Sequence, residues 1–532
     1  MGSEAEPPRG EMVPLLENLG DHHYPITTSV PLAQAYFDQG LIQGFGFNHA
    51  EAARSFKEAQ RQDPDCAMCY WGEALVLGPN INAPMDPKIG PRADVIAQKA
   101  KTLSSGSSEK EQALIRALSM RYVQEVMKDR SALDEAYGNE MRTVWKTYPE
   151  DSVVGALLAE ALMDLHPWDF WDGQGEPKPW TPEIVSVLET VIAGDSRNPL
   201  AHHLYIHVME ASPHPEKAIP SAERLPALVP GSGHLVHMPA HVWIRVGRYH
   251  DAVVANQRAV QVDKDYLGHS HTESIYTAAY VPHNYHFLWA AAVKTGQQKL
   301  AMKAAQGAAS QVSPEMMRDP ALGGTLQHFW LLPLFTHALF GQWSEILHVA
   351  DPPSDLAYPR AIWRYARGLA FLRRGNVEEA QIQLTQLKLI EEDPAIKELR
   401  IFDLNKVASL LRIAEDVLAG EIAFVRRDNE RALAYLQKAV QIEDNLHYTE
   451  PKDWYLPSRQ VLGAFLLETG NASEAERVFR EDLKAHPQNG WSLFGLMQSL
   501  RGQGRSQEAD SVQEMFARAW AEADVSIASS RF

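Results

Sequence analysis

The 532-residue sequence has little cysteine, no surplus of basic charge and no long hydrophobic run. Its only two cysteines, Cys66 and Cys69, cannot form a disulfide framework, which favours a reducing, cytoplasmic location. Its 68 acidic residues outnumber its 50 basic residues and give a net charge of -18. Nucleic acids and anionic membranes attract basic surfaces, so we expect neither as a partner. No segment approaches the roughly 20 apolar residues that a membrane-spanning helix needs.

Helical periodicity is what the sequence does have. Long helical windows are separated by glycine or proline, and no strand-like alternation is sustained. The acidic, proline-bearing residues 1–18 predict a disordered lead. Residues 19–520 predict one continuous helical array, and residues 521–532 predict a tail. The predicted fold class is therefore all-α.

Small and aromatic residues recur along this array at a fixed spacing. A first copy of the pattern consists of Ala52, Phe56, Ala59 and Pro64. The best copy consists of Leu462, Gly463, Gly470, Ala475, Phe479 and Pro487. These motifs resemble the tetratricopeptide repeat (TPR) family, whose unit is a 34-residue helix-turn-helix. The resemblance covers most of the chain, including C-terminal repeats at about 360–520.

The resemblance to TPR proteins carries expectations about architecture. It implies a right-handed superhelical solenoid of stacked antiparallel helix pairs that is closed or capped at its ends. In that family the first helix of each pair lines a concave groove. The groove of most TPR arrays binds an extended or helical segment of another protein.

Histidines form a second pattern, in repeats at about 199–340. His203 with His207 and His237 with His241 share an i, i+4 spacing, which places both rings of each pair on one helix face. The two pairs are offset by 34 residues, one repeat length, so they occupy equivalent positions on successive helix pairs. The same register, interrupted by an insertion, places two further histidines in the next repeat, His283 and His286. A third equivalent position holds two possible second-shell histidines, His234 and His328.

A stripe of imidazoles with this spacing predicts a transition-metal site in the groove. The predicted ligands are His203, His207, His237, His241, His283 and His286. Six histidines resemble the ligand set of coupled dicopper proteins, and this favours copper over zinc. Glu210, one turn after His207, is predicted as a catalytic or second-shell group, and ligation by its carboxylate would favour iron instead. The alternative is that the histidines only donate hydrogen bonds to a bound peptide.

These patterns lead to one principal functional hypothesis and two alternatives. The principal hypothesis is a metal-dependent enzyme, a copper oxidoreductase acting on a small-molecule substrate, with a metal-activated hydrolase or lyase as its variant. The first alternative is a scaffold that binds a peptide or protein partner in the groove. The second is a protein that binds or stores metal without catalysis.

Two segments outside the histidine stripe also carry possible chemistry. Cys66 and Cys69 form a C-x-x-C at a helix start, which predicts a redox pair, a soft-metal clip or two small buried residues at a tight junction. A segment that interrupts the repeat period near residue 450 carries Glu450, Trp454 and Arg459. Their carboxylate, ring and guanidinium predict either a wall for a small organic substrate or a corner between repeats.

Overall fold

The computed structural model describes residues 13–268 and 274–531. Helices make up 69% of these described residues. Within the described residues the strands are limited to one antiparallel pair, Arg400–Ile401 with Asn405–Lys406. The prediction of an all-α, TPR-like fold is confirmed.

The chain divides into two compact units. The first consists of residues 1–242 and 258–276, and the second of residues 243–257 and 277–532. The helices that lie in the first unit or cross its boundary are α1 Pro31–Phe45, α2 His49–Gln62, α3 Ala67–Val76, α4 Gly90–Leu103, α5 Glu109–Ser119, α6 Ser131–Thr147, α7 Ser152–Asp164, α8 Thr181–Gly194, α9 Pro199–Glu210, α10 Ile219–Leu228, α11 Gly233–His237, α12 Pro239–Arg245 and α13 Tyr249–Leu267.

The second unit continues with helices of similar length. They are α14 Val281–Lys294, α15 Gln298–Ser310, α16 Gly323–Leu339, α17 Trp343–His348, α18 Ala357–Arg373, α19 Val377–Glu391, α20 Pro394–Glu398, α21 Val407–Val425, α22 Asn429–Asp444, α23 Ser458–Glu468, α24 Ala472–Ala485, α25 Gly490–Gly502 and α26 Ser506–Ala519. Short 3-10 turns occur at Pro87–Ile89, Ser104–Gly106, Pro215–Ala218 and Met316–Arg318, and a π-helical turn at Tyr276–Tyr280.

Packing between successive helices explains the repeated small and aromatic residues of the sequence. Phe56 of α2 is fully buried between Gly40 of α1 and Gly72 of α3. A Cβ at Gly40 or Gly72 would lie 2.7 or 2.3 Å from the Phe56 ring, so only glycine permits this approach. The large ring and its two small neighbours thus hold α1, α2 and α3 together.

Two smaller findings concern the chain ends and membranes. Residues 1–12 of the predicted lead lie outside the described residues, while the carbonyl of buried Val13 accepts a hydrogen bond from the Tyr36 hydroxyl. No described helix combines the length and apolar character needed to span a bilayer.

Cys66 and Cys69 are buried, as one of the three hypotheses requires, and a disulfide joins them.

Candidate metal centre

Helix α9 contributes three of the predicted side chains. Asn198 caps its first turn by accepting a hydrogen bond from the Ala201 backbone amide, and Pro199 occupies the first helical position. The helix then presents His203, His207 and Glu210 within two turns. All three side chains are buried.

Helices α11 and α12 contribute the other predicted histidines of the first unit. Pro239, which has no amide hydrogen, interrupts the helix between His237 and His241. The His241 amide instead bonds the Met238 carbonyl at 3.2 Å. The predicted i, i+4 pair therefore spans a break, yet its two ring centroids remain 4.8 Å apart.

The start of α11 is fixed by a close contact that only glycine allows. A Cβ at Gly233 would lie 1.9 Å from Oδ1 of Asp263. That carboxylate accepts a hydrogen bond from the Tyr276 hydroxyl at 2.8 Å, and the same hydroxyl accepts one from the His234 amide at 3.1 Å. This chain of contacts holds His234 in place.

The first group of rings is formed by His203, His207 and His234. Nδ1 of His203 lies 2.6 Å from the Phe45 carbonyl oxygen, which can only accept, so Nδ1 carries the hydrogen and Nε2 carries a lone pair. That Nε2 lies 3.1 Å from Nε2 of His234. Ligand atoms of these three histidines lie within 4.8 Å of one another.

Glu210 links this group to the next helix pair. Its two carboxylate oxygens accept hydrogen bonds from Nδ1 of His207 at 2.7 Å and from Nδ1 of His241 at 2.5 Å. Burial alone would raise the pKa of Glu210, but its interactions with His241 and His207 outweigh burial and lower the pKa to about 2. The carboxylate is therefore ionised and accepts the Nδ1 hydrogen of both histidines, so the neutral form of each ring has its lone pair on Nε2.

The second group is the pair His237 and His241. Their Nε2 atoms lie 2.9 Å apart. The lone pair on Nε2 of His241 therefore points at the ring nitrogen of His237. A hydrogen on His237 Nε2 or a metal ion between the two nitrogens would account for this approach. We call these five histidines, together with Glu210, the histidine cluster.

The histidine cluster is closed. Each of its side chains belongs to a residue that is at most 2% exposed, so it does not line an open groove as the sequence predicted. Phe47 covers it: its ring centroid lies 4.5 Å from that of His203, 6.1 Å from that of His207 and 5.7 Å from that of His234. The Trp168 ring meets His207 edge-on at 5.3 Å. Both aromatic residues have a left-handed backbone, with φ of 58° and 61°.

Burial also favours the neutral form of His203 and His207. It lowers the pKa of His203 well below 6.5, and the neighbouring His207 lowers it further. It lowers the pKa of His207 as well, although Glu210 opposes this effect. Neutral imidazoles are the form in which histidine ligates metals.

The remaining predicted histidines belong to the second unit. His283 packs edge-on against Phe287, with ring centroids 4.8 Å apart. His286 is fully buried, and in the described part of the chain neither of its ring nitrogens has a hydrogen-bond partner. Its ring lies 5.4 Å from that of His328, whose Nδ1 is 2.9 Å from the Tyr358 hydroxyl. Their assignment as ligands or second-shell groups stays a prediction.

The predicted substrate wall also lies in the second unit. Trp454 and Arg459 line a cavity there. The carboxylate of Glu450 accepts a hydrogen bond from the Tyr448 hydroxyl at 3.1 Å.

Sequence reasoning missed the residues that cover and fix the cluster. Trp168 lies where the repeat period breaks between Trp168 and Trp180, and this interruption was the available signal. Phe47 has a left-handed backbone, and Asp263 contacts Gly233, which is distant along the chain. No sequence pattern marks either residue.

Comparisons with known proteins identify no family and only a weak similarity to solved structures. No known protein family and no curated protein matches this sequence. A solved structure of the human IFIT1 dimer with m7Gppp-AAAA is similar at 12% identity and a TM-score of 0.34, over 94% of this chain and 92% of that chain. The human IFIT1 dimer with PPP-AAAA is similar at 12% identity and a TM-score of 0.34, over 91% and 89%.

Two predictions are corrected by these comparisons. The principal hypothesis of a copper oxidoreductase is corrected: the comparisons return IFIT1 with m7Gppp-AAAA or PPP-AAAA and give that hypothesis no support. The exclusion of a nucleic-acid partner is corrected as well: it was based on net acidity alone, and the similar structures hold m7Gppp-AAAA or PPP-AAAA. A likeness this weak assigns no ligand and no residue role to this chain.

Proposed function

We propose that the first unit binds a transition-metal ion through the histidine cluster. The observation that carries the proposal is Nε2 of His207, which is buried and has no hydrogen-bond partner among the residues that the structure describes. Its ring cannot simply turn over, because Nδ1 is held by Glu210. A buried acceptor left without a donor costs about 1–3 kcal/mol, and a bound metal ion removes that cost.

The surroundings of this nitrogen supply the other ligands. His203 and His241 also present Nε2 lone pairs, because the Phe45 carbonyl and Glu210 hold their Nδ1 hydrogens. A carboxylate that orients ligand imidazoles through Nδ1 is a common arrangement around protein-bound metals. The cluster therefore has both the ligands and the groups that hold them in position.

Imidazole ligands indicate which ions would bind. They suit copper, zinc and iron and disfavour calcium and magnesium, whose ligands are oxygens. Copper(II) binds nitrogen sites more tightly than the other divalent ions of its row, so we place it first, before zinc and iron. Because the cluster is closed, we infer that the ion holds successive helix pairs together and is not open to a substrate.

Metal analysis tests the proposal directly. The full chain, purified without a histidine tag and dialysed against each ion in turn, should retain at least one copper or zinc ion per chain. His207→Ala should lose most of that metal. His214→Ala is the matched control, because His214 is exposed and also pairs with a glutamate, Glu216, at 3.1 Å.

Two results would contradict the proposal. One is wild-type protein that retains only trace copper, zinc and iron. The other is His207→Ala protein that folds normally and retains as much metal as wild type. Circular dichroism of each variant establishes whether the fold is kept.

A further inference from the structure

The second unit contains a cavity of about 160 Å³, which is enough room for a ligand of roughly benzene size. It lies beside the segment from Leu446 to Pro457, which interrupts the repeat period. The end of α24 forms another part of its wall through Ala485, followed by His486. We call it the lysine cavity, after Lys452 in its lining.

Lys452 is a cation in the lining of this cavity, which Glu443, Asp453 and Asp482 also line, but it has no ion-pair partner at close range among the described residues. In the described part of the chain no carboxylate lies within 4.0 Å of its ammonium group, which sits 4.9 Å from the centroid of the Tyr448 ring. Lys294, at the end of α14, likewise has no carboxylate at ion-pair distance among the residues described. Burial lowers the pKa of both lysines, and the nearby carboxylates Glu443 and Glu450 oppose this effect at each of them. An anion in the cavity would relieve this unfavourable burial of charge.

His486 gives the cavity a hydrogen-bond acceptor. Its Nδ1 lies 3.0 Å from Oδ1 of Asp482. Burial alone would raise the pKa of Asp482, but His486, Lys294 and Ser492 hold it well below its ordinary value. The carboxylate is therefore ionised and accepts the Nδ1 hydrogen, which leaves a lone pair on Nε2. That Nε2 is buried and has no hydrogen-bond partner within residues 13–268 and 274–531.

The other lining groups set the size and polarity of a ligand. Arg459 is held by both oxygens of Asp444, at 2.5 and 2.8 Å, so its charge is already compensated. The indole of Trp454 is almost fully buried and supplies an apolar surface. A ligand with a small apolar part fits this combination.

We propose that the lysine cavity binds a small organic carboxylate that also carries a hydroxyl or amino group. Lys452 pairs with the carboxylate, and Nε2 of His486 accepts a hydrogen bond from the hydroxyl or amino group. The apolar part of the ligand lies against Trp454. This site is separate from the histidine cluster and requires no metal.

Three probes of nearly equal size separate these contacts. Mandelate has the carboxylate, the hydroxyl and an apolar ring; methyl mandelate lacks the negative charge; and phenylacetate lacks the hydroxyl. Binding to the full chain is measured by calorimetry or ligand-observed NMR. Mandelate should bind about tenfold more tightly than methyl mandelate, as expected of a charge-assisted contact. It should bind about fivefold more tightly than phenylacetate, as expected of one hydrogen bond.

Variants assign each preference to its residue. Lys452→Met should abolish the preference for mandelate over its ester, and His486→Phe should abolish the preference for mandelate over phenylacetate. Lys303→Met, at an exposed position on α15, is the matched control and should keep both preferences. Thermal melts check folding. If His486→Phe does not fold, the Lys452→Met comparison still tests the anion contact.

Three outcomes would overturn the proposal. The first is that no probe binds at about millimolar concentration, the weak end of specific binding. The second is equal binding of mandelate and its ester to wild type. The third is a preference for mandelate over its ester that survives in folded Lys452→Met protein.

Discussion

Replacement of Glu210 by glutamine tests how the histidine cluster is organised. The carboxylate accepts Nδ1 hydrogens from both His207 and His241. A glutamine amide offers one oxygen and one NH2, so it can accept from only one ring. The other ring must turn over or move its hydrogen to Nε2, which removes one lone pair from the cluster.

The magnitude follows from the charge and from the metal. The pKa of Glu210 falls from an ordinary 4.5 to about 2 in the folded chain. This difference corresponds to about 3 kcal/mol of stability at neutral pH, present above pH 4.5 and lost as pH falls towards 2. We expect Glu210→Gln to lower the free energy of unfolding of metal-free protein by about this amount. Loss of a carboxylate that orients ligand histidines also weakens metal binding by roughly 10- to 100-fold.

The assay combines urea unfolding of metal-free protein with copper and zinc titration against a competing chelator. Glu216→Gln is the matched control, because it removes an exposed carboxylate that pairs with His214 in the same unit. It should change neither stability nor affinity. Glu210→Gln protein with wild-type affinity for both metals and wild-type stability would refute the reasoning.

Three further predictions concern the surroundings of the cluster and the second unit. Phe47→Ala should lower the free energy of unfolding by about 3–5 kcal/mol in urea titrations, because it empties a fully buried ring position; a loss below about 1 kcal/mol would contradict this. Gly233→Ala should reduce both stability and metal retention, because its Cβ would lie 1.9 Å from Asp263. Gly106→Ala is the control and should change neither, because no described atom lies within 4 Å of a Cβ at that position. Burial lowers the pKa of His328 to about 3 in the folded chain. Between pH 6.5 and pH 3 the unfolded chain therefore binds a proton that the folded chain does not, so the free energy of unfolding decreases as pH falls through this range. His328→Phe should flatten the pH dependence of unfolding there by up to about 1.4 kcal/mol per pH unit, and an unchanged slope would contradict the assignment.

The sequence predicted the fold well because helix pairs leave a local signature. The spacing of Ala52, Phe56 and Pro64 reports how α2 packs on its neighbours, and the structure shows that packing in the contact of Phe56 with two glycines. The 34-residue offset likewise predicted that histidines from α9 and from α11 and α12 would meet. Short repeats make contacts between neighbours visible in the sequence.

What the sequence could not predict depends on contacts distant along the chain. The ring of Phe47 comes from the first helix pair and closes over histidines more than 150 residues later, so the cluster is buried and not open. The charge of Lys452 drew no attention in the sequence, whereas Arg459 did. Only the structure shows that Asp444 compensates the arginine and that no carboxylate lies at ion-pair distance from the lysine in the described residues.

Glu210 also bears on how the first unit unfolds. In most repeat arrays neighbouring helix pairs are coupled through apolar interfaces that open one at a time. Here a single buried carboxylate bonds a ring on α9 and a ring on α12, so neither helix can leave without stranding a charge. Amide hydrogens of these two helices should therefore exchange with solvent in one shared opening event, although the helices lie in different repeats.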